Sequence, residues 1–241
     1  MKRIIPILLI VAGAAWYFFI YKPAHPDFTF AGTIEVDEVD VQPGVASPIG
    51  TLEVQEGDVV KAGQLLARLT CPDVRVSAGL ASSDFNRNQQ LYKAGSLAYS
   101  NFDHSLYANR DADVKLGWCT VESPIAGTVL TIYRRVGEWA RPGDPIMTLA
   151  DLTSVYSYLY VPQPMLASLK IGEAIPCSLP EMKGRVFEGK LAYIRPEAEF
   201  TPKNVQTREE RERLVYGVKV HFDNPDGTLK PGMAIEAEFP H

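Results

Sequence analysis

The sequence has no excess of basic residues and only four histidines. Lys and Arg number 24 against 29 Asp and Glu, which gives a formal net charge of −5. This balance offers no positive field to a phosphate backbone, so we expect no nucleic-acid partner. The histidines are scattered without metal-ligand spacing. The sequence also lacks a GxSxG motif, a phosphate-binding loop and a paired-carboxylate pattern, so we expect neither an enzyme nor a bound cofactor.

Long apolar runs are absent apart from one at the N terminus. Ile4 to Ile20 carries no charge and follows Lys2 and Arg3. We predict a membrane anchor over residues 1–22, with its N terminus in the cytoplasm and the remaining chain exported. Three aromatic residues would lie at the membrane interface: Trp16, Tyr17 and Tyr21. A cleaved signal peptide ending near residues 12–14 (Ala-Gly-Ala) is the alternative.

Glycine and proline are plentiful, at 18 each, and recur at the spacing of turns, which favours many short strands. Two stretches nearly repeat each other: GTLEVQEGDVVKAGQLLARL (50–69) and GTVLTIYRRVGEWARPGDPIMTL (127–149). At one constant offset, Gly57 aligns with Gly137, and Gly63 with Gly143. We predict that the two halves, 41–71 and 119–151, pack as a flattened β-sandwich that resembles the biotinyl/lipoyl domain. Two unrelated hairpins with common turn chemistry are the alternative.

The gap between the halves, residues 72–118, predicts an antiparallel α-helical hairpin. Pro72 suits a first helical position, and residues 94–96 (Ala-Gly-Ser) form the expected turn. The first helix carries a heptad-like stripe: Val74, Ala78, Ala81, Phe85, Asn88 and Tyr92. For the second helix we expect a start at the S-x-x-D signal of residues 100–103, a stop at Gly117, and one apolar face. The residues of that face are Phe102, Leu106 and Leu116, with Asn109 and Asp113 interrupting it.

Cysteine is scarce, and the odd number of three is notable in an exported chain. Antiparallel helices would bring Cys71 and Cys119 together at the base of the hairpin, which makes a disulfide possible if their Cα atoms are close enough. Two half-buried free thiols are the alternative. Cys177 would stay unpaired in either case.

The C-terminal part, residues 152–241, predicts a β-barrel to which residues 23–40 contribute a strand. VYSYLYV (155–161) is β-branched and aromatic, and VKVHF (218–222) leads through turn residues to a last strand. In that strand Met233, Ile235, Ala237 and Phe239 alternate with polar or small residues, so one face should be buried. The predicted fold class is therefore mainly β, with a lipoyl-like sandwich split by a helical hairpin, a β-barrel and an N-terminal transmembrane helix.

In this order the segments resemble the periplasmic adaptor, or membrane-fusion (HlyD-like), family. FAGTIEVDEVDVQPGVASPIGTLEVQEGDVVKAGQLLARL (30–69) is similar to the entry into the first half, and TVESPIAGTV (120–129) to the re-entry into the second. GTLKPGMAIEAEF (227–239) resembles the closing barrel strands, and residues 198–220 look like the subgroup that serves ABC-type efflux pumps.

This resemblance implies a single-pass inner-membrane protein with its bulk in the periplasm. Its partners would be an ABC-type transporter, an outer-membrane channel and further copies of itself in a ring, often of six. An adaptor for a proton-driven pump and a biotin or lipoyl carrier are the alternatives. The carrier is disfavoured because Lys93 and Lys115, in the gap, fall in predicted helices and not in a tight turn.

The resemblance also implies channel-docking residues at the hairpin tip. Adaptors carry an Arg there, then a Leu four residues later and a Ser seven residues after that. Arg87 and Leu91 match, but the Ser position falls on Ala98, with Ser96 and Ser100 on either side. Both serines therefore remain candidates.

Overall fold

The computed structural model describes residues 29–180, 182, 185–200 and 214–239. The predicted anchor, with Trp16, Tyr17 and Tyr21, lies outside these residues, as does the polar stretch 201–213. Within the described ranges, no helix combines the length and the apolar character needed to cross a bilayer.

Fourteen strands and three helices are formed by the described residues. The strands before the first helix are β1 (Thr29–Glu35), β2 (Glu38–Val41), β3 (Ser47–Leu52), β4 (Val59–Val60) and β5 (Leu65–Leu69). The helices α1 (Pro72–Lys93) and α2 (Tyr99–Gly117) follow. Next come β6 (Thr120–Glu122), β7 (Gly127–Ile132), β8 (Trp139–Ala140), β9 (Met147–Ala150), β10 (Ser154–Pro162) and α3 (Gln163–Leu166). The last strands are β11 (Ala174–Ser178), β12 (Val186–Phe200), β13 (Leu214–Asp223) and β14 (Ala234–Glu238).

These elements form two compact units. One comprises Glu35–Tyr156 and Asp223–Pro231, and the other comprises the remaining described residues. The first contains two four-stranded sheets, of order β2-β9-β7-β4 and β6-β5-β3-β8, together with α1 and α2. The second is built on a closed barrel of order β1-β10-β13-β12-β11-β14.

The two halves of the sandwich repeat their hydrogen bonds in the alignment that the sequence shows. Gly57 N–H donates to the Val129 carbonyl at 2.8 Å, and Gly137 N–H donates to the Ile49 carbonyl at the same distance. Gly57 and Gly137 have φ of 93° and 90°, a left-handed conformation that glycine adopts without a steric penalty. The near-repeat in the sequence therefore encodes one backbone unit used twice.

The sandwich core also follows the repeat. Apolar residues at corresponding positions are buried in both halves: Ile49 and Val129, Val60 and Ala140, Leu66 and Ile146, Ala67 and Met147, Leu69 and Leu149. Neither half could bury its apolar face alone, so each half contributes one side of a shared core.

The barrel strands show the period-2 burial expected when one face points inward. Along β10, Val155, Ser157, Leu159 and Val161 are buried and the residues between them are half-exposed. In the last strand, Ile235, Ala237 and Phe239 are buried while Ala234 is exposed, as the alternation predicted. β1 pairs with β14 and supplies the strand expected from the N-terminal side.

One sequence-based boundary is displaced. The predicted limit between barrel and sandwich at residue 40 cuts through β2, yet all of β2 pairs with β9. Along the chain, the boundary between the barrel unit and the sandwich unit falls instead between Ile34 and Glu35. Apolar residues stand at even positions up to Val36 and at odd positions from Val39, so the alternation changes phase at the junction between β1 and β2.

Candidate functional site

Helices α1 and α2 pack against each other through the stripe expected on α1. Ala78 is buried and Phe85 and Asn88 are half-buried. Phe102 of α2 stacks on Tyr92 with ring centroids 4.8 Å apart, and its centroid lies 5.9 Å from that of Phe85. Aromatic contacts thus concentrate in the half of the helix pair near the turn.

The contacting face of α2 agrees with the expected one only in part, since it includes Phe102 together with small and polar residues. Its most buried residues are Ser105 and Ala112, neither of which the sequence identified, and Asn109 between them is half-buried. Ser105 Oγ donates to the Phe102 carbonyl at 2.7 Å, so its hydroxyl is satisfied inside the interface. Ser105 and Ala112 were missed because small and polar residues do not contribute to an apolar pattern, although they follow the heptad spacing.

The start of α2 also differs from the expectation. The S-x-x-D signal placed it at Ser100, whereas the helix begins at Tyr99 with Ala98 as its N-cap. No side chain caps this end. Ser100 therefore lies inside the first turn, and its hydroxyl is not needed there as a cap.

The four residues suggested for channel docking all lie at the turn end of the helix pair. Arg87 and Leu91 are exposed on the last turns of α1, and Ser96 and Ser100 are exposed on either side of the start of α2. Arg87 Nη2 lies 3.0 Å from Asp84 Oδ1. The Ser96 N–H donates to the Leu91 carbonyl at 2.9 Å, which closes the turn.

The opposite end of the helix pair is joined by a disulfide between Cys71 and Cys119. Their Cα atoms are 6.1 Å apart, within the range of about 4.4–6.8 Å that the bond requires. Cys71 N–H donates to Ser47 Oγ at 2.8 Å, and the Cys119 carbonyl accepts the Leu69 N–H at 2.8 Å. Both helices are therefore tied to each other and to the sandwich at the point where they leave it.

Cys71 adopts a conformation that is rare for a side-chain-bearing residue. Its φ of 46° and ψ of 49° are left-handed, which costs about 1–2 kcal/mol outside glycine. The turn lets Pro72 begin α1 directly after β5. The disulfide and the bond to Ser47 hold Cys71 in this conformation.

The corresponding loops of the two sandwich halves have similar backbone conformations but different exposed side chains. At three corresponding exposed positions, the first half has Glu53, Glu56 and Val59, and the second has Tyr133, Val136 and Trp139. Trp139 and Val136 are each 58% exposed, and Val59 is 80% exposed. The second loop therefore presents an apolar and aromatic patch where the first is mainly acidic.

A cavity of about 400 Å³ lies beside this patch. Six residues line it: Arg134, Gly137, Glu138, Trp139, Arg141 and Asp144. Arg134 Nη2 lies 3.7 Å from Asp144 Oδ2, and Glu138 Oε2 accepts the Arg135 N–H at 3.0 Å. Arg141 is exposed at the rim. The cavity lining thus combines one aromatic side chain with two arginines and two carboxylates.

Candidate metal ligands are dispersed in the described ranges, and the two lysines of the gap lie in helices. There, no group of three or more His, Cys, Asp or Glu side chains could hold a metal ion. Lys93 and Lys115 lie within the helices, and Lys115 pairs with Asp111 at 2.7 Å. Burial raises the pKa of the Cys177 thiol to about 12, so this group stays protonated and unreactive at neutral pH.

Two family models match nearly all of the chain outside its N-terminal segment. Residues 37–151 match the barrel-sandwich hybrid domain of RND membrane-fusion proteins, and residues 155–241 match the CusB-like β-barrel domain. These domains, in this order and with helices α1 and α2 inserted in the first, define a membrane-fusion adaptor of the kind found in efflux systems. The chain belongs to the membrane-fusion protein (periplasmic adaptor) family, as the resemblance predicted.

Similar proteins share this architecture. A UPF0194 membrane protein from the asrC 5′ region of Acidithiobacillus ferridurans is 27% identical over 316 aligned positions, covering 97% of this chain and 94% of the relative. A MacA–MexA chimera carrying the Pseudomonas aeruginosa MexA α-hairpin has a TM-score of 0.72 at 20% identity, over 88% of this chain and 81% of the other. The membrane-fusion protein Spr0693 of Streptococcus pneumoniae R6 has a TM-score of 0.65 at 20% identity, covering 88% and 97%. At these identities the two structures are evidence for the fold alone.

Proposed function

We propose that this protein is a periplasmic adaptor that links an inner-membrane transporter to an outer-membrane channel, and that it acts without catalysis or a cofactor. The observation that carries the proposal is the fixed root of the helix pair. The disulfide and its neighbouring hydrogen bonds join α1 and α2 to the sandwich on both sides. A helix pair fixed at its root in this way can transmit a movement of one partner protein to another, as a coupling protein must.

The transporter in this proposal is of the ABC type. Residues 198–220 support it through their resemblance to adaptors of ABC-type efflux pumps. A proton-driven pump is the second candidate, because the matched sandwich domain is described as belonging to RND membrane-fusion proteins. In both cases the energy for transport comes from the partner.

Affinity purification of the tagged full-length chain from its native membrane, after chemical cross-linking, separates the two candidates. We expect an ATP-binding transporter subunit among the cross-linked proteins. Recovery of a proton-driven permease without any ATPase would overturn the ABC assignment while leaving the adaptor proposal intact. Recovery of a biotinylated or lipoylated form of the chain would overturn the adaptor proposal itself.

The proposal places the protein in the inner membrane as a single-pass protein with its bulk in the periplasm. The relative from A. ferridurans is named a membrane protein, which supports attachment to a bilayer. The uncharged run Ile4 to Ile20 would be the anchor, and Trp16, Tyr17 and Tyr21 would lie at its interface. Several copies would surround a conduit, and the family resemblance implies six.

The tip of the helix pair would dock on the channel through Arg87 and Leu91, with Ser96 or Ser100. Helix α1 has 22 residues, so the pair extends roughly 30 Å from its root. The A. ferridurans alignment spans 316 positions against 241 residues here, so that relative has additional residues within the matched region. The partner at the tip would be the outer-membrane channel or another adaptor copy.

Photo-cross-linking from the tip identifies this partner. A photoreactive residue is placed at Leu91, at Ser96 or at Ser100 in the full chain, with Arg110, exposed on α2 nearer the root, as the matched control. We expect a channel adduct from Leu91 and from one of the serines, and none from Arg110. Adducts only with other copies of the chain would replace the channel by an adaptor as the tip partner.

Substitution then tests the docking charge. Arg87→Ala should reduce efflux, while Arg110→Ala on the neighbouring helix should not. Both changes remove one exposed cation, so a difference between the two variants reports the position of the charge. Equal efflux from the two variants would show that Arg87 is an ordinary surface residue.

A further inference from the structure

One short stretch of the sandwich touches both helices where they leave it. The loop of residues 42–46 joins β2 to β3. Ser47, which follows the loop, accepts the N–H of Cys71 before α1, and Gly44 within the loop lies against the ring of Trp118 at the end of α2. The second contact is close, because a Cβ added to Gly44 would lie 2.7 Å from Cγ of the ring and 3.0 Å from Cδ2.

The repeat shows that the loop itself does not require this glycine. In the alignment of the two halves, Val45 corresponds to Ile125, and both pack against the sandwich core. Gly44 corresponds to Pro124, so the second half builds the equivalent position without a glycine. Gly44 also lacks the positive φ of the turn glycines. The close approach of Trp118 is therefore the reason for a residue without a side chain at this position.

The loop is held by the core, whereas the tryptophan is held by contact alone. Pro43 is buried and Val45 packs against the core, so the backbone on both sides of Gly44 is fixed. Trp118 is 46% exposed, so part of its ring stays in water while the rest covers the glycine. The contact joins a rigid surface of the sandwich to the end of a helix.

The disulfide at the root does not by itself set the direction of the helix pair. It limits the separation of Cys71 and Cys119, and the pair can rotate about the line between them without stretching the bond. Noncovalent contacts must therefore fix the direction. Trp118 follows the half-buried Asn109 by nine residues, which is about two and a half helical turns, so it lies on the side of α2 away from α1. A contact at this outer side resists tilting.

We propose that Trp118, lying on Gly44, is a positioning residue that fixes the direction in which the helix pair leaves the sandwich. This inference rests on the proposed function, since the direction decides where the tip residues meet a partner. The tip is roughly 30 Å from the root, so a change of about 10° at the root moves the tip by about 5 Å. A hydrogen bond spans only about 3 Å, so docking at the tip depends on this contact at the root.

Spin-label distances in the full-length chain, in detergent, measure the direction. Gln90, near the tip, is paired with Lys61 of the first half or with Arg135 of the second, and all three residues are exposed. Each pair is replaced by cysteines and labelled without reductant, so that the disulfide stays closed and the buried Cys177 does not react. The two distances report the position of the tip relative to both halves of the sandwich.

Variants at the contact should change these distances in a defined pattern. Trp118→Ala should shift or broaden both distributions by about 5 Å, the displacement calculated for the tip. Gly44→Ala places a methyl group against the ring and should shift both mean distances. Combined with Trp118→Ala, the added methyl group meets no ring and should have a much smaller effect. Trp118→Phe keeps an aromatic ring on the glycine and should stay close to the wild type.

Trp139→Ala is the matched control, because it removes another exposed tryptophan of the same unit and should leave both distances unchanged. Wild-type distributions in Trp118→Ala would overturn the inference. A Gly44→Ala shift that persists in full without the ring would also overturn it, because the methyl group would then act through another contact. Circular dichroism checks the folding of each variant. If Trp118→Ala does not fold, unchanged distances in Gly44→Ala alone would still overturn the inference.

Photo-cross-linking from position 91 separates this inference from the proposed function. We expect the yield of the tip adduct to fall several-fold in Trp118→Ala, with the chain equally abundant in the membrane. An equal yield in the wild type and in Trp118→Ala would leave docking intact and overturn the positioning role. Absence of any adduct in the wild type, together with the expected distances, would overturn the proposed docking and leave the geometric role of Trp118 standing.

Discussion

The two halves of the sandwich share turn geometry and buried positions, but some of their equivalent exposed side chains differ. Leu66 and Ile146 occupy one pair of equivalent core sites, and Gly57 and Gly137 one pair of equivalent turns. At exposed sites, Glu53 and Glu56 of the first half correspond to Tyr133 and Val136 of the second. The comparison teaches that the fold depends on a few buried and turn positions, which leaves the remaining surface free to acquire separate roles.

The halves also end differently. Cys71, after the last strand of the first half, leads into α1, whereas Asp151, its counterpart after β9, leads toward the barrel. The disulfide has no equivalent in the second half for this reason. It covalently joins the two ends of the insertion that interrupts the repeat.

Of the changes proposed here, removal of the disulfide should lower the free energy of unfolding most. Replacing both Cys71 and Cys119 by Ser frees a loop closed over a sequence separation of 48, and the chain-entropy relation gives a loss of about 4 kcal/mol in the free energy of unfolding. Denaturant unfolding of the full chain, monitored by circular dichroism without reductant, measures it. As a direct check, alkylation of the unfolded, unreduced wild type should label Cys177 alone. Labelling of all three cysteines would show that the bond does not form.

Truncating equivalent core residues should have the next largest effect. Leu66→Ala and Ile146→Ala each remove most of a side chain that is 0% exposed, and each should lower the free energy of unfolding by about 3 kcal/mol. Leu80→Ala, at a site 64% exposed on α1, is the control and should change it by less than about 0.5 kcal/mol. A large loss in one half and almost none in the other would mean that the halves do not share one core.

The smallest effect should come from the equivalent turns. Gly57→Ala and Gly137→Ala place a Cβ in open space but at positive φ, so each should cost about 1–2 kcal/mol through backbone strain alone. Gly79→Ala is the matched control, since it also enters open space but in a helix, where alanine should stabilise by about 1 kcal/mol. Thermal unfolding of the three variants compares the signs. Stabilisation by Gly57→Ala would contradict the shared turn geometry.

Much of the fold could be predicted from local patterns. Strand alternation in β14, the doubled glycine spacing and the position of Pro72 all report the conformation of nearby residues, which a sequence contains directly. The contact face of α2 could not be predicted this way, because Ser105 and Ala112 contribute by being small. Their role depends on how closely another helix approaches, and only packing defines that distance.

The candidate site shows the same division. The family resemblance suggested the residues near the turn, and the antiparallel helix pair predicted that the two cysteines lie close together. It did not identify Trp139 and its cavity, since a single tryptophan after Gly137 and Glu138 has no distinctive pattern. Its exposure became visible only when β8 was placed at the edge of a sheet.

The sequence by itself determined the repeat that sets Gly57 on Gly137, the insertion between its halves and the alternating strands of the barrel, because each depends on the order of neighbouring side chains. Tertiary structure decided which residues of α2 are buried and which sheet edge carries an exposed tryptophan. It also decided that Asn224, in the polar turn DNPDG, is 4% exposed, with its amide bonded to Leu152 and Leu229. Those outcomes depend on contacts between distant segments, whose energies no local pattern contains.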